Sequence, residues 1–327
     1  MDANTEIPPE TRDGCRILSL DGGGAKGFYS LGVLKELEAL LRPPLCDRFD
    51  LIFGTSTGAI IAALLGLGNE VDHVHELYRT HVPDVMSQRG KRARSSALVR
   101  LADSVFGAET FDAFQTGIGI VATRWDLERP MIFKSSATLA HGRRATFTPG
   151  FGCTIAQAVV ASCSAYPFFE RPVLRTEGGD EVEVMDGGYC ANNPTLYAIA
   201  DATRALGVAR PDIRVVSVGV GNYPTPKRAK PIEWLKRLWV VELLQKTLDV
   251  NTASLDQLRT VLFSDIPTVR IDDTFERPEL ATDLLEHDPI KLNLLRQRGA
   301  ESFAKREEEL RTLLEIHEAG DGEDGDS

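Results

Sequence analysis

The sequence predicts an α/β protein: a layered, largely parallel central sheet between helices, plus a helical C-terminal region. Three observations carry this. Short apolar runs of strand character alternate with stretches whose apolar residues recur at helical spacing. Two of the runs, "CRILSL" (15–20) and "FDLIF" (49–53), lead through glycine-rich turns directly into helical stretches. From about residue 226 the pattern is mainly helical, with no Pro/Gly/Ser linker to set it apart. The expected organisation is an α/β core over 15–225, a region over 226–319 packed on it rather than forming a separate domain, and flexible termini at 1–14 and 320–327.

The elements follow in order. After the first strand, Leu31, Leu34, Leu37 and Leu41 lie on one helical face. The second strand runs into "GTSTG" and the small apolar helix "AIIAALLGL". Weaker helical patterns cover 71–81 and 95–106, and residues 118–123 and 130–134 read as strands. "TIAQAVVASCSAYPFF" (154–169) reads as a helix, 181–185 as a strand ending at "DGGYCANNP", and "NPTLYAIADATRAL" as a helix. "IRVVSVGVG" is a strong strand. Helices are expected over 232–263 and 289–319, with the short strand "TVRID" between them and an acidic tail, "GDGEDGDS".

Composition narrows the function. The 327 residues carry a net charge of −11, which argues against DNA or RNA as a partner bound through overall charge. Five scattered cysteines without CxxC spacing indicate neither a disulfide framework nor a metal site, and no cofactor motif is present. The polar, acidic N-terminus lacks the apolar segment of a signal peptide. The apolar stretch at 59–67 is far short of the ~20 residues a membrane span needs. A cytoplasmic protein is expected, peripheral at the inner membrane if it meets lipid at all.

"GTSTG" places Ser56 between Gly54 and Gly58 in a strand–turn–helix context, the setting of a nucleophile elbow. The glycines let strand and helix pass close to the serine, and the helix N-terminus adds positive potential. A plain strand-to-helix turn would use the same small residues. A serine hydroxyl also needs a base. His73, His75 and His81 fall in a polar helix, His141 in a loop and His317 near the tail. His287 alone follows an acidic candidate in the order Ser, Asp, His. The other candidate base is Asp186, at a strand end before two glycines, where open α/β sheets hold their ligands. An ordinary Asp-Gly turn would look the same.

"DGGGAKG" follows the first strand and opens a helix. Gly22, Gly23 and Gly24 could present bare N–H groups to a developing oxyanion, with Lys26 adding charge nearby. A phosphate loop is the rival reading, but the stretch lacks GK[ST] and does not fit GxGxxG.

Taken in order, "DGGGAKG", "GTSTG" and "DGG" resemble the patatin-like phospholipases, over about 17–194 and including "ASCSAYPFFERPV" and "ANNP". The resemblance implies a patatin-like layered fold, an oxyanion loop at Gly22–Gly24, and a dyad of Ser56 as nucleophile and Asp186 as base, without histidine. Lys26 stands where many members have arginine, keeping the charge but losing the guanidinium fork. "WVVELLQKTLDVNTASLDQLRTVLF" and "TVRIDDTFERPELATDLLEHDPIKLNLL" are similar to bacterial CapV-type phospholipases, which a cyclic nucleotide activates in anti-phage defence. That implies membrane phospholipid as substrate and a cyclic di- or trinucleotide as activator. A homo-oligomer is compatible with the sequence.

Two stretches suit a lipid surface. "KRAKPIEWLKRLW" sets Trp234, Leu235, Leu238 and Trp239 beside Lys230, Lys236 and Arg237. "RGKRARSSALVR" (89–100) is a basic cluster fit for headgroups or for a nucleotide's phosphates. A core-packed helix and a solvated loop are the alternatives.

Overall fold

The computed structural model describes residues 14–42, 44–140, 147–224 and 232–316, and of 232–240 the backbone course only. In chain order the elements are β1 (Cys15–Leu20), α1 (Gly27–Leu41), β2 (Leu51–Thr55), α2 (Thr57–Gly66), α3 (Val71–Ser87) and α4 (Lys91–Phe106). Next come β3 (Gly117–Arg124), β4 (Arg129–Lys134), α5 (Ile155–Cys163), β5 (Val173–Arg175), β6 (Glu181–Asp186), α6 (Gly188–Ala191) and α7 (Thr195–Ala200). The last are β7 (Ile213–Val218), α8 (Ile232–Leu262), β8 (Thr268–Ile271), α9 (Pro289–Ala304) and α10 (Glu307–Leu313).

One mixed sheet holds the eight strands, and β3, β2, β1, β7 and β8 run parallel in that order. Parallel strands need cover on both faces, and β2 is accordingly buried along its whole length. Leu18, Leu20, Ile52, Val216 and Val218 face the larger core with α1–α5 and α9. Ile17, Leu51, Phe53 and Val215 face the opposite side, against Ala198 and Ile199 of α7 and Ala202 just after it. Period-two alternation thus sorts neighbours within each strand to opposite cores.

The antiparallel strands set the geometry that matters for function. β3 pairs with β2 through Val121, with β4 from Gly119 to Arg124, and with β6 from Ala122 to Arg124. A strand has two edges, and β4 fills one of them along both stretches. β2 and β6 therefore share the other edge and meet tip to tip, Thr55 opposite Val121 and Asp186 opposite Ala122. Two residues 131 positions apart, Thr55 and Asp186, are brought together in this way at the end of one sheet.

Two predicted elements differ, and one strand was not predicted. The helix expected over 154–169 stops at Cys163. Pro167 disfavours helical backbone at the residue before it, and residues 164–169 form a loop instead. The helix expected over 289–319 breaks after Ala304 and restarts as α10, which places Glu307, Glu308 and Glu309 in a first turn where the helix dipole favours them; residues 317–319 lie outside the described residues. The short edge strand β5 has no counterpart in the sequence pattern. "TVRID" does form a strand, and β8 extends the parallel sheet beside β7. Among the described residues no helix is long and apolar enough to cross a membrane.

Candidate active site

β2 runs into α2 with no intervening loop, and Ser56 makes the corner. Its backbone sits at φ 51°, ψ −121°, a conformation rare for a residue with a side chain and of order 1–3 kcal/mol in strain. Ser162 of α5 holds the corner. Its hydroxyl accepts the Ser56 N–H at 2.9 Å and donates to the Val121 carbonyl at 2.6 Å. Gly54 and Gly58 allow the tight turn: a Cβ on Gly54 would lie 2.2 Å from the Gly58 carbonyl, and one on Gly58 2.3 Å from that of Leu20.

Asp186 ends β6 and is 2% exposed. One carboxyl oxygen accepts the Gly188 N–H at 2.7 Å, and the Ser56 side chain lines the same cavity as this carboxyl and lies close enough to act on it. Burial pushes its pKa up to about 7, opposed by the Gly188 N–H and by the nearby Ser56 hydroxyl. A base that titrates near neutrality is well matched to taking a proton from a hydroxyl.

The glycine loop approaches from β1. Gly24 sits at φ 56°, with no room for a Cβ before the Leu284 carbonyl at 2.5 Å. Gly23 and Gly24 line the cavity with Ser56 and Asp186, and their N–H groups make no hydrogen bond among the described residues. The reading of three equivalent oxyanion donors needs correcting at Gly22, whose N–H is already given to the Asn192 carbonyl at 3.0 Å. Gly22 serves by close approach instead: a Cβ there would lie 2.4 Å from Asn192 Oδ1. Lys26 is also displaced from its expected place. Its side chain is 1% exposed, does not line the cavity, and exerts its charge on Asp249 of α8.

The cavity is apolar. Ile60, Val85, Leu98, Phe168, Leu244 and Leu284 are among its walls, and its enclosed space is about 60 Å³. Pockets that take drug-sized ligands run to roughly 300–1,000 Å³. The walls come from α2, α3, α4, α8 and the loops around 168 and 284, so separating them would open a slot for an acyl chain.

None of the described histidines enters the cavity lining. His287 is exposed, its Nδ1 3.1 Å from the Leu285 carbonyl. His75 is half-buried, edge-on to Phe28, and burial lowers its pKa. His141 and His317 lie outside the described residues, as do Lys230 and the side chains of Trp234, Leu235, Lys236, Arg237, Leu238 and Trp239. Arg89, Lys91, Arg92 and Arg100 are exposed, while Arg94 is buried.

Several residues that fix the site escaped the sequence reading. Asn192 donates from Nδ2 to the Gly22 carbonyl at 3.1 Å and to Thr252 Oγ1 at 2.8 Å, and its own N–H reaches Asn251 Oδ1 at 2.8 Å. Helix α8 is thereby tied to the glycine loop. Arg270 of β8 binds Asp21 at 2.7 Å, Asp272 at 2.7 Å and Ser217 at 2.8 Å, anchoring the residue just before the glycines. "ANNP" and "DGGG" marked two of these positions, but nothing in the sequence pairs them with α8 or β8.

A strained serine, a buried carboxyl and backbone N–H groups without a partner among the described residues meet on one apolar cavity of an α/β sheet, the setting of an ester hydrolase. The chain belongs to the patatin-like phospholipases, whose family model matches residues 18–199. It is 65% identical over 300 residues to the cUMP-AMP-activated phospholipase of Escherichia coli, covering 92% of this chain and 94% of that protein. It is 26% identical over 227 residues to the cGAMP-activated phospholipase of Escherichia coli strain TW11681, covering 62% of this chain and 61% of the relative. Patatin-like protein 1 of Arabidopsis thaliana is 25% identical over 362 residues, covering 93% of this chain and 83% of that protein.

Proposed function

We propose that this chain is a phospholipase of the A type, which cleaves membrane phospholipid esters with a Ser56–Asp186 dyad and is switched on by a cyclic dinucleotide in anti-phage defence. The observation that carries the chemistry is the meeting of β2 and β6 on one edge of β3, which brings Ser56 and a carboxyl of pKa about 7 to the same cavity.

Asp186 takes the Ser56 proton as the oxygen attacks the ester carbonyl. The N–H groups of Gly23 and Gly24 hold the oxyanion, and each such donor is worth roughly 10²–10³ in turnover. Collapse expels the lysolipid alcohol, which recovers the proton from Asp186. Water, deprotonated by the same carboxylate, then releases the fatty acid from Ser56.

Two observations support gating. The space of about 60 Å³ at Ser56 is too small for an acyl chain, so the resting site is shut. Two relatives bear names that specify activation by cyclic dinucleotides. Helix α8 is suited to transmit the signal, since Leu244 and Leu248 wall the cavity while Thr252 and Asn251 hold Asn192 and, through it, Gly22. A shift from 1:99 to 99:1 open needs about 10⁴-fold tighter nucleotide binding to the open form. The test is hydrolysis of a fluorogenic phospholipid across a panel of cyclic di- and trinucleotides. Near silence alone, strong activation by one nucleotide, and loss of that activity in Ser56→Ala are expected. Full activity without nucleotide, unchanged by every member of the panel, would overturn the gate.

A further inference from the structure

The loop that follows α5 has two faces. Ala165, Phe168 and Phe169 turn inward and line the Ser56 cavity, while Tyr166 between them turns out and is 43% exposed. Tyr166 begins an outward ladder. The ammonium of Lys91, first residue of α4, lies 5.9 Å from its ring centre. Arg171 lies 5.3 Å from the same ring and 4.6 Å from that of Trp125, which is 42% exposed on the turn between β3 and β4. Leu127 on that turn is also exposed, at 44%. The Ser95 hydroxyl accepts the Glu170 N–H at 2.8 Å, fastening this loop to α4.

Charges of both signs surround the ladder, and the unpaired cations lie at the start of α4. The carboxylates Asp126 and Glu183 are held by Arg124 and Arg171, each at 2.9 Å. Arg89, Lys91 and Arg92 are exposed and make no ion pair among the described residues; Glu128, Glu170 and Glu181 are exposed as well, as is Asp180, which acts on Arg124. A chain of net charge −11 thus gathers unpaired positive charge and two exposed indole and phenol rings beside its substrate cavity. Tryptophan and tyrosine are the side chains that settle at headgroup depth, and basic residues add attraction to anionic lipid. Partly exposed cation–π pairs keep the rings in place before contact.

We infer that the ladder Lys91–Tyr166–Arg171–Trp125, with Leu127, is the surface by which this phospholipase docks on an anionic phospholipid membrane, setting the cavity mouth at the loop 164–169 against the lipid. This rests on phospholipid being the substrate, but docking is separable from cleavage.

Docking is measured in the Ser56→Ala background on vesicles of phosphatidylglycerol and of phosphatidylcholine, without and with cyclic UMP–AMP. Of the three tryptophans, Trp234 and Trp239 are replaced by phenylalanine, leaving Trp125 as the sole reporter. Its emission shifts to the blue and is quenched by brominated phosphatidylglycerol. By vesicle sedimentation, which needs no tryptophan, Trp125→Ala/Tyr166→Ala lowers the partition coefficient at least about tenfold through lost apolar contact, and Lys91→Gln/Arg92→Gln by about 30-fold. On the Ser56 form, both pairs of substitutions leave hydrolysis of a soluble short-chain ester intact, which also shows that the fold survives. No vesicle binding in either condition, equal binding to phosphatidylcholine, or binding with Trp125 emission unmoved overturns the inference. Absence of Ser56-dependent ester cleavage would instead count against the catalytic reading.

Discussion

Two cavities meet at the glycine loop. One is apolar, encloses about 60 Å³, and holds Ser56, Asp186 and the N–H groups of Gly23 and Gly24. The other has a volume of about 310 Å³ and a polar lining that includes Asp21, Asn192, Asp249, Thr252, Arg270 and Asp272. The first contains the groups proposed to carry the reaction. The second contains what fixes the loop in place: Arg270 on Asp21, and Thr252 on Asn192 on Gly22. The contrast separates the chemistry from its alignment. Donors aimed at an oxyanion are effective only when held in advance, and here the holding comes from β8 and α8, far along the chain.

The largest effect tests the apolar side. Asp186→Asn removes the base and should lower kcat/KM by about 10³-fold or more in steady-state assays. It should also stabilise the protein. The folded pKa of about 7 lies above the ordinary 3.8, so folded protein keeps a proton that the unfolded chain has released. The stability this contributes is complete below pH 4 and drains away as pH rises to 7. Asparagine escapes that loss, so urea melts at pH 8 should show a gain of about 1–3 kcal/mol. In the parent enzyme, kcat/KM should climb about tenfold per pH unit up to about pH 7 and then level. A variant that loses both activity and stability would mean that Asp186 is a structural carboxylate.

On the polar side the order is reversed, with stability falling first. Arg270→Ala strands Asp21, 2% exposed, without its partner and should cost about 3–5 kcal/mol in denaturant unfolding. Asp21→Asn/Arg270→Met replaces the pair with neutral groups and should recover at least half of it. Equal destabilisation by both variants would remove the buried pair as the cause.

A smaller effect lies where the two cavities touch. Asn192→Ala cuts the tie between Thr252 and Gly22 without altering any group that contacts substrate. A loss of about 10–100-fold in kcat with KM near the parent value is the expected signature of misaligned donors. A change in KM alone would place Asn192 in substrate binding instead.

The same division explains what the sequence made legible. The elbow was readable because strand, serine and helix are contiguous, and small residues at 54 and 58 serve one local turn. Asp186 was readable as a carboxylate at a strand end. That β6 meets β2 tip to tip was not, because it depends on β4 occupying the other edge of β3. Gly22 looked like a third donor because local pattern cannot show that its N–H is spent on Asn192. Lys26 looked like a site cation because it follows the glycine run, yet the turn just before α1 carries it inward toward α8. Trp125, Tyr166 and Arg171 are scattered over 47 positions and share no motif. Only the β3–β4 turn and the loop after α5 bring them together.

The smallest expected effect is a null that keeps the comparison sharp. In chain order His287 follows Ser56 and Asp186, the sequence of a conventional triad, and it lies two residues from Leu285 in the cavity wall. Its ring is exposed, however, its Nδ1 lies 3.1 Å from the Leu285 carbonyl, and it does not line the cavity that holds Ser56 and Asp186. The backbone there is held without the imidazole: Glu286 accepts the N–H groups of His287 and Asp288 at 3.0 and 3.2 Å and pairs with Lys291 at 3.0 Å. His287→Ala should therefore leave the wall in place and change kcat/KM by less than about threefold, with the pH profile still governed by the group near pH 7. A loss of about 10³-fold would make histidine the base. Asp186 would then be its orienting carboxylate, and the apolar cavity would owe its chemistry to the C-terminal third of the chain, erasing the division between the two cavities.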